Sequence, residues 1–102
     1  MTINRKIAVV TGAAQRIGAA IAHELHTAGF DIALHYRSSQ AAAQTLAEEL
    51  CDQRADSCQL FQADLESVEE ITKLAKQLAT TYSAIDLLVN NASGFAATPI
   101  EQ

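Results

Sequence analysis

The sequence predicts an α/β fold in which helices cover a doubly wound parallel sheet. Short apolar runs alternate with longer amphipathic stretches along the 102 residues. No repeat, linker or low-complexity tract interrupts this alternation. Because alternating strands and helices imply parallel strands joined by right-handed crossovers, we expect the strand order 3-2-1-4 within a single unit, residues 1–102. The first two helices then lie on one face and the third on the other, which leaves strand four as an open apolar edge.

The first strand and the first helix have the clearest patterns. Residues 7–10 form an unbroken apolar run, as expected of a buried parallel strand. Downstream, Ile17, Ile21 and Leu25 recur every four residues, so the helix that they form has one apolar face.

The loop between these two elements, residues 11–18, reads TGAAQRIG. Gly12 allows a sharp turn off the strand, and Gly18 allows the helix to pack closely on the sheet. A helix that begins near Arg16 directs free backbone N–H groups and partial positive charge beyond the strand end. The loop therefore suits the pyrophosphate of a dinucleotide, although a similar turn also occurs as plain structure.

The second strand is predicted at residues 31–36, after a helix stop at Gly29. Ser38 and Ser39 are the candidate caps of the helix that follows. Its apolar residues again recur every four positions.

The third strand is predicted at residues 58–63 and ends at Asp64. Ser67 and Glu70 have the spacing of a capping box, in which Glu70 reaches back to the amide of Ser67. The fourth strand is predicted at residues 86–91.

The order 3-2-1-4 reverses between strands one and four, and ligands bind beyond the carboxyl ends of the strands at such a point. Residues 11–18 and the segment Asn91, Ala92 and Ser93 both fall there. Two separate segments thus point to one crevice.

The end of strand two favours NADP over NAD. No acid lies between Tyr36 and Gln44 to accept hydrogen bonds from ribose hydroxyls. Arg37 and the hydroxyl of Ser38 or Ser39 instead suit a 2′-phosphate, since arginine offers several charge-assisted donors. The alternative is a solvated arginine beside a helix cap. Asp64 is a candidate partner for the adenine amino group or a plain turn residue.

Composition excludes other classes of function. The net charge of −5 argues against a broad nucleic-acid surface, and no apolar run approaches membrane-spanning length. We expect no signal peptide and two reduced thiols, Cys51 and Cys58, in a cytoplasmic protein. His23 and His26 are expected on a solvated helix face, and no metal site is predicted.

The motifs resemble the short-chain dehydrogenase/reductases, through Gly12 and Gly18, Asp64, and the run Asn90-Asn91-Ala92. Arg16 stands where that family usually has a third glycine. With residues 34–38 and 90–95, this departure looks like the pteridine reductases, which use NADPH to reduce dihydropterins, dihydrofolate or related pteridines.

The resemblance implies a Rossmann-type sheet and a role for each matching position. Arg16 and Ile17 would line the pyrophosphate, Asp64 and Leu65 would hold adenine, and Phe95 would stack on the pterin. Arg16 and Ser93 would also reach the substrate. The remaining implied cofactor contacts are Gly12, Gly18, His35, Tyr36, Arg37, Ser38, Asn91, Ala92 and Ser93.

The family's catalytic Tyr-x-x-x-Lys pair has no match, because Gln40 follows Tyr36 and Asp86 follows Tyr82 at that spacing. We therefore expect the N-terminal half of a larger, homo-oligomeric NADPH-dependent reductase, inactive alone. The alternatives are a reductase of carbonyl substrates such as an oxoacyl thioester, a non-catalytic nucleotide-binding module, or a truncated product that does not fold stably.

Overall fold

The structure is a computed structural model that describes residues 5–14 and 16–91. The cofactor and substrate contacts expected of Ala92, Ser93 and Phe95 concern positions outside the described residues. Strands and helices alternate throughout the described part, as the sequence predicts. They are β1 (Ile7–Thr11), α1 (Arg16–Thr27), β2 (Asp31–Tyr36), α2 (Gln40–Gln53), β3 (Cys58–Gln62), α3 (Val68–Thr81) and β4 (Leu87–Asn90).

The four strands form one parallel sheet in the order β3-β2-β1-β4, which confirms the predicted topology. β1 pairs with β2 from Ile7 opposite Asp31, and with β4 from Ala8 opposite Leu87. The order reverses between β1 and β4. The carboxyl ends of these two strands therefore border the crevice in which such sheets bind ligands.

Apolar side chains are buried on both faces of the sheet, because successive residues of a strand point in opposite directions. Val10 and Leu34 belong to a core cluster with Leu46 and Leu50 of α2, and partly buried residues of α1 pack against it. The neighbouring residue Val9 belongs to the cluster on the other face, with residues of β3 and α3. The helices thus cover both faces of the sheet. Residues of α1 and β1 pack together in the first of the two clusters.

Strand β4 borders the open side of the described sheet. The side chain of Leu88 is 63% exposed, as expected of the last strand in the order 3-2-1-4. Among the described residues, no helix combines the length and apolarity that a membrane span requires.

The two predicted helix caps differ in detail from the structure. Ser39 lies at the N-cap position of α2, but its side chain makes no capping hydrogen bond. At α3, the hydroxyl of Ser67 accepts from the amide of Glu70 at 3.2 Å, as predicted. The Glu70 carboxylate, however, accepts from the amide of Asp64 at 2.7 Å instead of from Ser67. The amide of Ser67 already donates to the carbonyl of Asp64, so only half of the capping box forms.

The expectation for His26 is wrong. Its side chain is 1% exposed, and Nε2 lies 2.7 Å from the hydroxyl oxygen of Ser57. Burial lowers the pKa of His26 because it disfavours the charged imidazolium. His23 does lie at the surface, where its ring pairs with Glu49 at 3.3 Å. In the described part of the chain, no cluster of three metal-ligating side chains is found.

Candidate cofactor-binding site

The turn between β1 and α1 lies at the carboxyl end of the central strands. Gly12 has φ +60°, a left-handed conformation that glycine adopts without the steric cost of a Cβ. Arg16, the first residue of α1, has φ +52°. A side chain in this region costs about 1–3 kcal/mol and persists only where the surroundings enforce it, often at functional sites. The turn is therefore shaped at two points by unusual backbone geometry.

Residue His35 of β2 holds the first half of this turn. Its Nδ1 accepts a hydrogen bond from the amide of Gly12 at 3.0 Å, and its carbonyl accepts from the amide of Ala13 at 3.0 Å. On the other side, Nε2 lies 2.9 Å from the carbonyl oxygen of Ala63, at the end of β3. The side chain is 2% exposed. His35 therefore lies beneath the loop, and its ring is not free to contact a ribose.

The amides of Gly12 and Ala13 already have partners within the protein. The first donates to Nδ1 of His35 and the second to the carbonyl of the same residue. Among the described residues, the start of α1 offers further donors for a phosphate, at Arg16, Ile17 and Gly18.

Gly18 lies where α1 packs closest to the loop. A Cβ at this position would lie 2.3 Å from the carbonyl oxygen of Gly12 and 2.8 Å from the Cα of Ala13. It would also lie 2.7 Å from Nδ2 of Asn91. Only glycine fits this approach, which is the close packing that the sequence predicts for Gly18.

The end of β4 meets the same loop. The amide of Asn91 donates to the hydroxyl of Thr11 at 2.8 Å, and its Nδ2 donates to the carbonyl of Gly12 at 3.3 Å. The Thr11 hydroxyl in turn donates to Oδ1 of Asn90 at 3.0 Å. The structure thus brings Asn91, the described residue of the second segment, against the loop after β1. It also shows that Asn91 ties the loop to β4.

Two side chains at the start of α1 are exposed at this end of the sheet. Arg16 is exposed, and Ile17 is 68% exposed although it is a large apolar residue. An exposed isoleucine beside free helix amides is consistent with a surface that a ligand covers. These two residues are therefore available for the contacts that the resemblance implies.

At the end of β2, Arg37 and Ser38 are exposed and Tyr36 is half-buried. The Arg37 side chain is 58% exposed, and its Nε lies 3.8 Å from a carboxylate oxygen of Asp64. A long ion pair at the surface contributes little free energy. The guanidinium is therefore accessible to a phosphate.

Asp64 and Leu65 follow β3 and are half-buried. One carboxylate oxygen of Asp64 accepts from the amide of Glu66 at 2.9 Å, which closes a local turn. The same oxygen faces Arg37. Asp64 therefore has the turn role that the sequence left open, next to the position proposed for adenine.

Tyr82 is engaged in the packing between β3 and the end of α3. Burial raises the pKa of Tyr82 to about 12, and its ring packs on Phe61 with centroids 6.1 Å apart. A tyrosine that donates a proton near neutral pH needs the opposite shift.

The sequence reasoning missed the contribution of His35. The available signal was a polar, titratable residue in an otherwise apolar strand, at the position beside the end of β1. Its burial could have been inferred from the parallel pairing of these two strands.

Comparison with known proteins agrees with this geometry. Residues 6–102 match the sequence model of the short chain dehydrogenase family. Pteridine reductase 1 of Leishmania tarentolae is 40% identical over an alignment 111 residues long. This alignment covers 92% of this chain and 38% of that protein. The 3-oxoacyl-[acyl-carrier-protein] reductase FabG of Staphylococcus aureus is 34% identical over 87 residues, which cover 85% of this chain and 35% of that protein. Elsinochrome reductase 1 of Elsinoe fawcettii is 36% identical over 89 residues, which cover 87% of this chain and 33% of that protein.

The chain spans about a third of the length of these relatives. The match extends over the strand–turn–helix loop, the ends of β2 and β3, and the residues that follow β4. The chain belongs to the short-chain dehydrogenase/reductase family.

Proposed function

We propose that the polypeptide containing this chain is an NADPH-dependent reductase and that residues 1–102 are its cofactor-binding part. The observation that carries this proposal is the site at the switch point of the sheet. There the loop after β1 is tied to β2 and β4, and the amides at the start of α1 are left for a diphosphate. When bound, the nicotinamide supplies a hydride to a C=N or C=O bond; the protein supplies orientation and charge.

The preference for NADPH rests on Arg37 and Ser38. Both are exposed at the end of β2, and the Arg37 guanidinium has only a long surface pair with Asp64. A charge-assisted contact with the 2′-phosphate corresponds to about tenfold to hundredfold in affinity. NADH lacks this phosphate and would gain nothing from Arg37.

The experiment compares the dissociation constants of NADPH and NADH for the complete polypeptide and its Arg37→Ala variant. We expect the variant to lose about tenfold to hundredfold in NADPH affinity while NADH affinity stays the same. Lys6→Ala removes an exposed cation just before β1, at the opposite end of the sheet; it is the matched control and should change neither constant. Equal NADPH and NADH affinities in the wild type would refute the cofactor preference.

For the substrate we propose a dihydropterin, dihydrofolate or a related pteridine. Support comes from Arg16, which is exposed with a left-handed backbone at the start of α1, and from the similarity to a pteridine reductase. The second candidate is a carbonyl compound such as an oxoacyl thioester, which the similarity to an oxoacyl reductase favours.

Turnover of both substrate classes by the complete polypeptide with NADPH separates these candidates. Replacing Arg16 or Phe95 with alanine should weaken pterin binding strongly under the first proposal. Unchanged pterin affinity in both variants would exclude it. Residues 1–102 alone should reduce neither class of substrate, because the sequence has no Tyr-x-x-x-Lys pair. If the complete polypeptide binds NADPH without turnover, that result would favour a cofactor-binding module.

We further propose that the complete protein is a cytoplasmic homo-oligomer. The exposed apolar edge at β4, with Leu88 63% exposed, supports association with further polypeptide. Light scattering of the complete polypeptide should give a mass of at least two subunits, and a monomer would refute this proposal.

A further inference from the structure

We propose that His35 is a positioning residue for the cofactor loop and that it acts through its neutral imidazole. The inference rests on the proposed function, since it concerns the loop that would hold the diphosphate of NADPH. His35 itself touches no cofactor in this account. It holds the turn after β1 in the shape that leaves the amides at the start of α1 free.

The contacts of His35 join three parts of the sheet at one residue. Nδ1 accepts from the Gly12 amide at 3.0 Å, the carbonyl accepts from the Ala13 amide at 3.0 Å, and Nε2 contacts the Ala63 carbonyl at 2.9 Å. The His35 side chain is buried. Loss of the ring acceptor would leave the amide of Gly12, a half-buried residue, without this partner.

The two ring contacts define the protonation state of His35. The Gly12 amide is a donor and requires an acceptor at Nδ1, whereas the Ala63 carbonyl is an acceptor and requires a hydrogen on Nε2. Only the neutral imidazole with its hydrogen on Nε2 satisfies both. A protonated ring would direct a second N–H at the N–H of Gly12, so protonation and this loop geometry exclude each other.

Charged groups come from the elements around this end of β2. Asp64 follows β3, and Glu70 of α3 binds the amide of Asp64. Arg37 follows β2 and pairs with Asp64, and Arg16 begins α1. The described residues of the loop itself, 12–14, carry no charge. Both signs of charge are present and partly paired, and the hydrogen-bond geometry at Nδ1 sets the protonation state of the ring.

Two variants of the complete polypeptide separate the roles of the two ring nitrogens. His35→Asn places an amide oxygen near the position of Nδ1 and can keep the acceptor for Gly12 while the contact with Ala63 is lost. His35→Gln places an amide nitrogen near the position of Nε2 and keeps the donor while the acceptor is lost. A merely structural histidine would lose stability in both variants and show no such difference in binding.

The measurement is the dissociation constant of NADPH at about pH 8, with thermal unfolding recorded in parallel. We expect His35→Gln to bind NADPH about tenfold more weakly than the wild type, and His35→Asn to stay within about threefold.

Equal affinity losses in the two variants would overturn the inference. If the wild type binds no NADPH, the proposed function fails. The loop inference is then decided by nitrogen-15 NMR of the wild type, which also serves if the variants do not fold. We expect the ring hydrogen on Nε2 and none on Nδ1. A hydrogen on Nδ1 would overturn the inference.

Discussion

Replacing Gly18 with alanine should push helix α1 away from the loop after β1. The new Cβ would lie 2.3 Å from the carbonyl oxygen of Gly12, 2.8 Å from the Cα of Ala13 and 2.7 Å from Nδ2 of Asn91. Each distance is shorter than ordinary nonbonded contact. Two of the three atoms belong to the backbone, so a side-chain rotation cannot relieve the overlap.

The magnitude follows from two opposing contributions. Alanine in a helix interior is about 1 kcal/mol more favourable than glycine. Overpacking at a buried position costs about 1–3 kcal/mol, and the backbone contacts at Gly18 put it at the upper end. We therefore expect a net loss of about 2 kcal/mol in the free energy of unfolding. In a polypeptide of the relatives' length that lowers Tm by about 4–8 °C.

The assay is thermal unfolding of the complete polypeptide together with NADPH titration. Cofactor affinity should fall by at least about tenfold, because the displaced loop and the start of α1 form the proposed phosphate site. Gly29→Ala is the control at the other end of α1. Gly29 has φ +107° and no atom within 4 Å of a new Cβ, so this variant should lose stability through backbone strain while NADPH affinity stays unchanged. Wild-type Tm and NADPH affinity in Gly18→Ala would refute the reasoning.

Three further predictions concern the rest of the chain. Ser67→Ala should lower the free energy of unfolding in urea by about 1 kcal/mol, because it removes the N-cap acceptor of α3; a similar loss in the control Thr72→Ala, whose exposed hydroxyl bonds its own helix, would contradict this. Burial lowers the pKa of His26 from 6.5, so its contribution to stability should be complete above that pH and decrease as the pH falls below it. Acid unfolding of His26→Gln should therefore show a shallower pH dependence than the wild type, and identical slopes would count against it. Iodoacetamide on the folded protein should label Cys51 and spare Cys58, whose pKa burial raises to about 12; equal labelling by mass spectrometry would disprove the difference.

Local patterns in the sequence determined the architecture of this protein. The apolar runs at β1 and β2 and the four-residue repeats of α1 and α2 are enough to predict the alternation, the parallel order and the buried faces. They suffice because strand and helix periodicities are properties of neighbouring residues. The role of Gly18 could also be predicted from the sequence, since close packing between a strand and the helix that follows it is a short-range requirement. The convergence of the loop with Asn91 followed from the strand order alone.

Only the tertiary structure decided which polar groups meet. His35 is 23 residues from Gly12 and 28 from Ala63 along the chain, and His26 is 31 residues from Ser57. The Glu70 carboxylate accepts from the amide of Asp64, because the amide of Ser67 already donates to the carbonyl of Asp64. A hydrogen bond depends on distances of a few tenths of an ångström and on which competing partners are already satisfied. Residue type and spacing can predict that a histidine stands on a strand, but the packed neighbours decide whether it contacts a ligand or holds the loop beneath it.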